Sequence, residues 1–133
     1  MKTRIKNPGV RTKLFVANET IGVGKIYLLQ LVRDTGSISA AARQMGMSYR
    51  RAWFLLNSMQ SGFESPLFQT ERGGNKRGGA RLTPLGVELL RRYATHASLI
   101  AHQSSEILDW LRSVQSHEPL APKVAFQETK GQV

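Results

Sequence analysis

Cysteine is absent from the sequence, and so are the usual signs of a reaction centre. Without cysteine the chain can form no disulfide framework, thiolate metal site or cysteine nucleophile. The three histidines, His96, His102 and His117, have no carboxylate cluster around them at metal-ligand spacing. Paired carboxylates and a Ser/His/Asp set in plausible order are missing as well. We therefore expect no enzyme, no metal site and no cofactor.

Long apolar runs are also missing. No segment approaches the roughly 18 to 20 apolar residues that a membrane span needs. The N-terminus is basic like the start of a signal peptide, but Asn18, Glu19, Thr20 and Gly22 interrupt the apolar segment that should follow. We read no targeting signal, and we expect a cytoplasmic protein with no membrane partner. A chain of 133 residues is long enough for one domain with a single hydrophobic core.

Acidic residues are few, and the net charge of +10 comes from one part of the chain. Residues 1–83 hold 14 lysines and arginines against four acids, whereas residues 84–133 hold five of each sign. A basic part joined to a neutral part indicates that only the first meets a polyanion. Nucleic acid is the leading candidate and an anionic membrane surface the second. The alternative is a charge that serves only solubility.

The first elements are predicted from composition and periodicity. Residues 1–13 are basic, contain proline and glycine, and are expected to form a flexible arm. The apolar run at 14–17 predicts a strand. A mostly apolar helix follows from about Val23 to Asp34, and Gly36 lies where a C-terminal cap should.

Two short helices around a glycine come next. Ser37 or Ser39 can cap an alanine-rich helix over residues 40–45, whose small side chains allow another helix to approach closely. Gly46 ends this helix, because glycine enters the left-handed conformation at little cost. Ser48 then caps a second helix. This order is typical of a helix-turn-helix.

The second helix opens with SYRRAW, which places Arg50 and Arg51 side by side in its first turn. A helix N-terminus carries positive partial charge, so adjacent cations are unfavourable there unless an anion lies in front of them. In a helix-turn-helix these residues enter the major groove of DNA, where phosphates and guanine edges lie. We favour DNA contact over the alternative of a solvated polar face. The predicted buried stripe consists of Ala52, Leu55, Leu56 and Met59.

A glycine-rich cationic loop over residues 72–79 lies between two predicted strands, at 67–71 and 80–83. The P-loop order GxxxxGK[ST] is absent, so a nucleotide phosphate site is not indicated. A flexible linker is the alternative. Beside a helix-turn-helix, the hairpin predicts a wing in which Lys76 and Arg77 neutralise phosphates.

The last predicted element is a single helix from Pro84 to about Val114, capped by Thr83. Such a helix of roughly 30 residues would be about 45 Å long, longer than one small domain can cover. Its apolar residues alternate three- and four-residue steps, which is typical of a seam for another helix. We predict a homodimer, the alternative being that this face covers the chain's own core, and we expect residues 115–133 to be disordered. The predicted interface residues are Tyr93, Ala97, Ile100, Ile107 and Leu111.

From about residue 13 to residue 113 the chain resembles the N-terminal DNA-binding domain of ModE, the bacterial molybdate-responsive transcription regulator. More distantly it is similar to the DNA-binding domain of LysR-type regulators. The matching pieces are Gly36-Ser37-Ile38-Ser39, Met47-Ser48-Tyr49 with Ala52-Trp53, the wing from Gly73 to Ala80, and Leu82-Thr83.

This resemblance implies a winged helix-turn-helix, mainly α with a small β-hairpin, that dimerises through its long terminal helix. The partner it implies is a palindromic operator in double-stranded DNA. Carried over to this sequence, it assigns Ser48, Tyr49 and Arg50 to the recognition helix and Lys76 and Arg77 to the wing.

Two features depart from the family pattern. The molybdate-binding C-terminal domains of the family are not found in this sequence, so we expect no direct molybdate response and regulation by abundance or by a separate effector-sensing partner. Arg51 stands where a small residue is expected, so the operator can differ. Two functions therefore stay open, a sequence-specific regulator and an architectural nucleic-acid-binding protein without sequence preference.

Overall fold

The computed structural model describes residues 7–71 and 79–117. Over these residues the chain forms five helices and two separate two-stranded antiparallel sheets. None of the helices in this part of the chain is long and apolar enough to cross a membrane. The predicted fold class, mainly α with a small β-hairpin, is confirmed, and a second hairpin is present that was not predicted. The elements are β1 (Leu14–Val16), β2 (Glu19–Ile21), α1 (Val23–Thr35), α2 (Ile38–Gln44), α3 (Tyr49–Gln60), β3 (Phe68–Thr70), β4 (Ala80–Leu82), α4 (Pro84–Gln103) and α5 (Ser105–Val114).

The strand predicted at 14–17 is present as β1, but its partner β2 was not predicted. The two strands pair antiparallel, with Leu14 opposite Ile21. Ala17 and Asn18 form the turn and both have positive φ, 48° and 72°. A two-residue turn of this kind usually contains glycine, so the sequence carried only a weak hairpin signal here.

Helix α1 lies at the centre of the core. Its C-terminal cap is Gly36, as predicted, with φ of 69° and its N–H donating to the Val32 carbonyl at 2.9 Å. The alanine face of α2, the inner face of α3 and the start of α4 pack in the same core. The buried residues of α1 are Ile26, Leu28, Leu29, Leu31 and Val32.

The prediction of one continuous helix from Pro84 to Val114 is wrong in one respect. Thr83 caps the helix and Pro84 begins it as expected, but α4 and α5 are separated at Ser104, whose φ and ψ are −91° and 4°. Ser104 and Ser105 are adjacent, and serine side chains compete with the helical backbone for hydrogen bonds. The helix-type bond from the Ser104 N–H to the Ile100 carbonyl is kept at 3.0 Å, so the interruption is local.

The β3–β4 hairpin is anchored to the helical core at its base. The Ala80 N–H donates to the Gly36 carbonyl at 2.9 Å, which ties β4 to the segment between α1 and α2. The Thr83 N–H donates to the Leu67 carbonyl at 3.0 Å. At Gly86, in the first turn of α4, an added Cβ would collide with the Leu67 carbonyl oxygen. The hairpin and α4 therefore approach each other more closely than a larger residue would allow.

Candidate nucleic-acid interface

Helices α2 and α3 form the predicted helix-turn-helix. Of the two predicted caps for α2, Ser37 is the one used, and its Oγ accepts from the Ala40 N–H at 3.1 Å. Ala41 and Ala42 are buried. Gly46 has a φ of 69° and turns the chain toward α3, as its position predicted. The small residues of α2 thus allow the close packing that positions α3.

Helix α3 presents one face to the core and the other to solvent. Ser48 is its N-cap, and its Oγ accepts from the Arg51 N–H at 3.1 Å. The predicted stripe is largely confirmed, with Ala52, Leu56 and Met59 buried and Leu55 partly buried. Since the stripe fixes the rotation of the helix, the residues on the opposite side necessarily point outward.

The Ser48 cap leads to a prediction about stability. We expect Ser48→Ala to lower the free energy of unfolding by about 1 kcal/mol, because the Arg51 N–H loses its acceptor. Ser48→Asp should retain the wild-type value, because aspartate is an equally good cap and its charge suits a helix N-terminus. Urea denaturation followed by circular dichroism measures both. A Ser48→Ala variant as stable as the wild type would show that the cap contributes nothing, and equal losses in the two variants would show that the loss does not come from capping.

Arg50 and Arg51 are exposed and uncompensated. No acidic residue stands in the first turn of α3. Neither guanidinium forms an ion pair or a side-chain hydrogen bond with any residue in 7–71 or 79–117. Two adjacent cations at the positive end of a helix, without a counter-charge, favour an external anion at this place.

A second arginine pair shows how this chain compensates adjacent cations elsewhere. On α4, Arg91 and Arg92 both donate to Glu88, Arg91 through Nε at 3.0 Å and Arg92 through Nε at 2.7 Å. The hydrogen bonds from Arg91 and then Arg92 lower the pKa of Glu88 to about 2. The same carboxylate raises the pKa of Arg91. Both pairs are exposed, and the contrast is that among the described residues Arg50 and Arg51 have no such carboxylate.

Three cations that the sequence analysis did not assign to a site lie near Arg51. Arg11 and Lys13 before β1, Lys25 in the first turn of α1, and Arg51 line a cleft of about 600 Å³. In the described part of the chain no carboxylate lines this cleft. Lys25 also donates to the Thr20 carbonyl at 3.0 Å, which holds it beside β2. The cleft extends the cationic surface from α3 toward the N-terminal segment.

The predicted wing residues Lys76 and Arg77 lie outside the described residues. The described strands extend to the start of the loop, where the Glu71 N–H donates to the Gly79 carbonyl at 2.8 Å. Trp53 of α3 meets Phe68 of β3 edge to face, with the ring centroids 5.8 Å apart. This contact fixes the base of the hairpin beside α3.

The outward side of α3 also carries aromatic residues, of which only Tyr49 was predicted as a site residue. Tyr49 is about half exposed, and Phe54 is 66% exposed. Both are close in sequence to the arginine pair. Sequence reasoning missed Phe54 because an apolar side chain in a helix is usually assigned to the core.

The predicted interface residues on α4 and α5 fall into different environments. Tyr93 is buried within the chain itself, and its hydroxyl donates to the Thr12 carbonyl at 3.3 Å. Ile100 is partly buried, and Ala97 is exposed. None of the residues of α5 is buried. A stripe of large apolar side chains is exposed along α5, consisting of Ile107, Trp110, Leu111 and Val114.

The end of the predicted arm contacts α4. Besides the bond from Tyr93, the Thr12 hydroxyl lies 3.2 Å from Nε2 of His96. Tyr93 and His96 are themselves in edge contact, with centroids 6.3 Å apart. These contacts place Thr12, two residues before β1, against the middle of α4.

Comparison with known proteins agrees with this geometry. The model of the family described as bacterial regulatory helix-turn-helix protein, lysR family, matches residues 24–87. The molybdenum transport protein ModE of Herbaspirillum seropedicae is 48% identical over 63 residues, which are 47% of this chain and 23% of that protein. The DNA-binding transcriptional dual regulator ModE of Escherichia coli K12 is 39% identical over 69 residues, or 52% of this chain and 26% of that protein.

A third relative is the molybdenum-pterin-binding protein MopB of Rhodobacter capsulatus. It is 41% identical over 73 residues, which are 55% of this chain and 27% of that protein. The chain thus spans about a quarter of the length of these relatives. Over the helix-turn-helix the resemblance to ModE-type regulators, and more distantly to lysR-type domains, is confirmed.

Proposed function

We propose that this chain is a sequence-specific DNA-binding transcription regulator of the ModE-like type that acts as a dimer in the cytoplasm. The observation that carries the proposal is the Arg50–Arg51 pair at the start of α3, which is exposed and has no counter-charge among residues 7–71 and 79–117. The Escherichia coli K12 relative, named as a DNA-binding transcriptional dual regulator, supports the same reading.

The dimensions of α3 suit the major groove. The groove is about 12 Å wide and admits a helix with its side chains. With Ala52, Leu56 and Met59 in the core, the first turn can face the base edges. Arg50 lies almost opposite the stripe and would contact guanine O6 and N7 through its two-pronged guanidinium. Tyr49 and the hydroxyl of Ser48 would donate to the adjacent phosphates.

Phosphate contacts would come from the cations beside α3. Arg51 lies on the flank of the helix, where Arg11, Lys13 and Lys25 line the same cleft. Each neutralised phosphate releases condensed counterions, so these residues would supply affinity that depends on salt but carries little sequence information. Lys76 and Arg77 of the predicted wing are proposed to act in the same way.

We propose that the chain dimerises through α5. Ile107, Trp110, Leu111 and Val114 follow i, i+3, i+4, i+7 spacing, so their side chains lie on one face of α5. An exposed apolar stripe on a helix that buries none of its own residues fits a second copy of this helix. Two copies would place two α3 helices on a palindromic operator. Tyr93 is packed within its own chain, while Ala97 and Ile100 would continue the seam.

The competing function is an architectural protein that binds nucleic acid without sequence preference. Selection of bound sites from a random DNA pool separates the two. A sequence-specific regulator should recover one palindromic site and bind it about a thousandfold or more above random DNA at fixed salt. A pool that stays random after repeated selection would exclude specific regulation and leave the architectural function.

Molybdate is expected to leave the operator affinity of this 133-residue chain unchanged. A ligand shifts a binding equilibrium only through different affinities for two states. In the described residues an oxyanion would meet only exposed cations such as those of the cleft, which bind molybdate and sulfate alike and too weakly to compete with DNA at micromolar concentration. Titrating operator DNA with and without micromolar molybdate, and with sulfate at equal ionic strength, measures the effect. Tightening by molybdate but not by sulfate would reveal a sensor within these residues, with the dimer interface as its most plausible place.

A further inference from the structure

Phe54 is the most exposed aromatic side chain on α3, at 66% of its full accessible area. Measured around the helix, it lies almost opposite the buried stripe of Ala52, Leu56 and Met59. A phenylalanine at such a position leaves a whole apolar ring in water. Burial of that ring against a partner would therefore be favourable.

The neighbouring tryptophan shows that aromatic residues on α3 serve two different purposes. Trp53 turns toward β3, where it meets Phe68 edge to face, and it is only 38% exposed. Phe54 has no such ring contact with any residue in the described ranges. Trp53 thus stabilises the hairpin against α3, whereas Phe54 is left for a contact outside the chain.

Phe54 shares its surface with the arginine pair. Arg50 and Phe54 are four residues apart, so they are neighbours on one face of the helix. Together with Ser48 and Arg51 they line a shallow groove of about 320 Å³ at the N-terminal end of α3. An apolar ring between cations suits a partner that offers anionic or polar edges next to an apolar group.

The geometry points to Phe54 as a specificity-determining residue that reads the C5-methyl group of thymine, next to a base read by Arg50. The inference rests on the proposed function and adds to it a base preference. Thymine is the base that presents a methyl group in the major groove of unmodified DNA, and apolar side chains contact it there. Phe54 therefore predicts that the selected operator contains thymine beside the position that depends on Arg50.

Replacement of thymine by deoxyuridine tests this directly, because it removes the methyl group and keeps every hydrogen-bonding edge. The full chain is titrated with the selected site in which each thymine is replaced in turn. We expect the wild type to bind about fourfold more weakly at one or two of these positions, the effect of losing one buried methyl group. Phe54→Ala should weaken binding to the thymine site and show no further loss with deoxyuridine there.

Phe15→Ala is the matched control, because Phe15 is also a strongly exposed phenylalanine, at 74%, but lies on β1. This variant should keep the wild-type discrimination between thymine and deoxyuridine. Phe54→Ala should keep its helix content, since alanine is the best helix former and the removed ring is exposed.

Three outcomes would overturn the inference. Wild-type binding that does not change with deoxyuridine at any thymine would show that Phe54 does not read a base, and so would a Phe54→Ala variant that still distinguishes thymine from deoxyuridine. In either case, a loss of operator affinity in Arg50→Ala would leave the proposed function standing. A selection that recovers no preferred site would overturn the proposed function and this inference together.

Discussion

Arg50→Ala is expected to weaken binding to the selected operator by about 1 to 3 kcal/mol and to relax the preference at one base position. The guanidinium is exposed in the first turn of α3 and has no partner in the described part of the chain, so its removal costs the fold little. The loss would come from a guanine left without its two donors. Fluorescence titration on the operator and on each single-base variant at fixed salt measures both quantities.

Arg92→Ala is the matched control for this variant. Arg92 also stands in an adjacent arginine pair, but its charge is compensated by Glu88 on its own helix. Its removal should leave operator affinity unchanged. If Arg50 instead contacts a phosphate, affinity would fall on all sequences, and the slope of log K against log salt would shrink by about one. An Arg50→Ala variant that matches the wild type in affinity, base preference and salt slope would show that α3 is not part of the DNA interface.

Ile107→Asp is expected to convert the dimer into a folded monomer with about a hundredfold to ten-thousandfold weaker binding to the palindromic site. Ile107 is 57% exposed within one chain, so the carboxylate is tolerated there in the monomer. In a helix–helix contact the same carboxylate would be desolvated without a partner, which is costly. Once a dimer has bound one half-site, it binds the second half-site intramolecularly, whereas two monomers must bind the half-sites separately. The loss of this effect lowers the DNA affinity.

Ser105→Asp provides the control for charge alone. Ser105 is exposed on α5 two residues before Ile107, and therefore on nearly the opposite side of the helix. This variant should remain a dimer and bind the operator as the wild type does. Sedimentation velocity at micromolar concentration measures the state of each protein. A monomeric wild type, or a dimeric Ile107→Asp, would contradict an interface along this stripe.

The local chemistry of the helices could be predicted from the sequence. Ser48 and Thr83 cap α3 and α4 through bonds that reach only three residues along the chain. Gly36 and Gly46 adopt positive φ where the pattern required it. The buried stripe of α3 follows from a three- and four-residue spacing that any helix converts into one face. In each case the residues that determine the feature are close in sequence, so no knowledge of the remaining chain is needed.

The other features depend on residues distant in sequence, and only the tertiary structure decided them. Arg11, Lys13 and Lys25 join Arg51 in one cleft because α1 and the β1–β2 hairpin pack beside α3. Tyr93 lies on the apolar seam predicted for a partner, yet a hydrogen bond to Thr12, 81 residues earlier, helps to hold it within its own chain.

The two adjacent aromatic residues of α3 give the clearest case. Trp53 and Phe54 look alike in the sequence, but β3 happens to lie on the side where Trp53 points, and Phe68 covers its edge. Phe54 is rotated by about 100° around the helix, beyond the reach of that strand, and stays exposed. A helical pattern determines which residues share a face, but which face is covered depends on packing partners that the pattern does not contain.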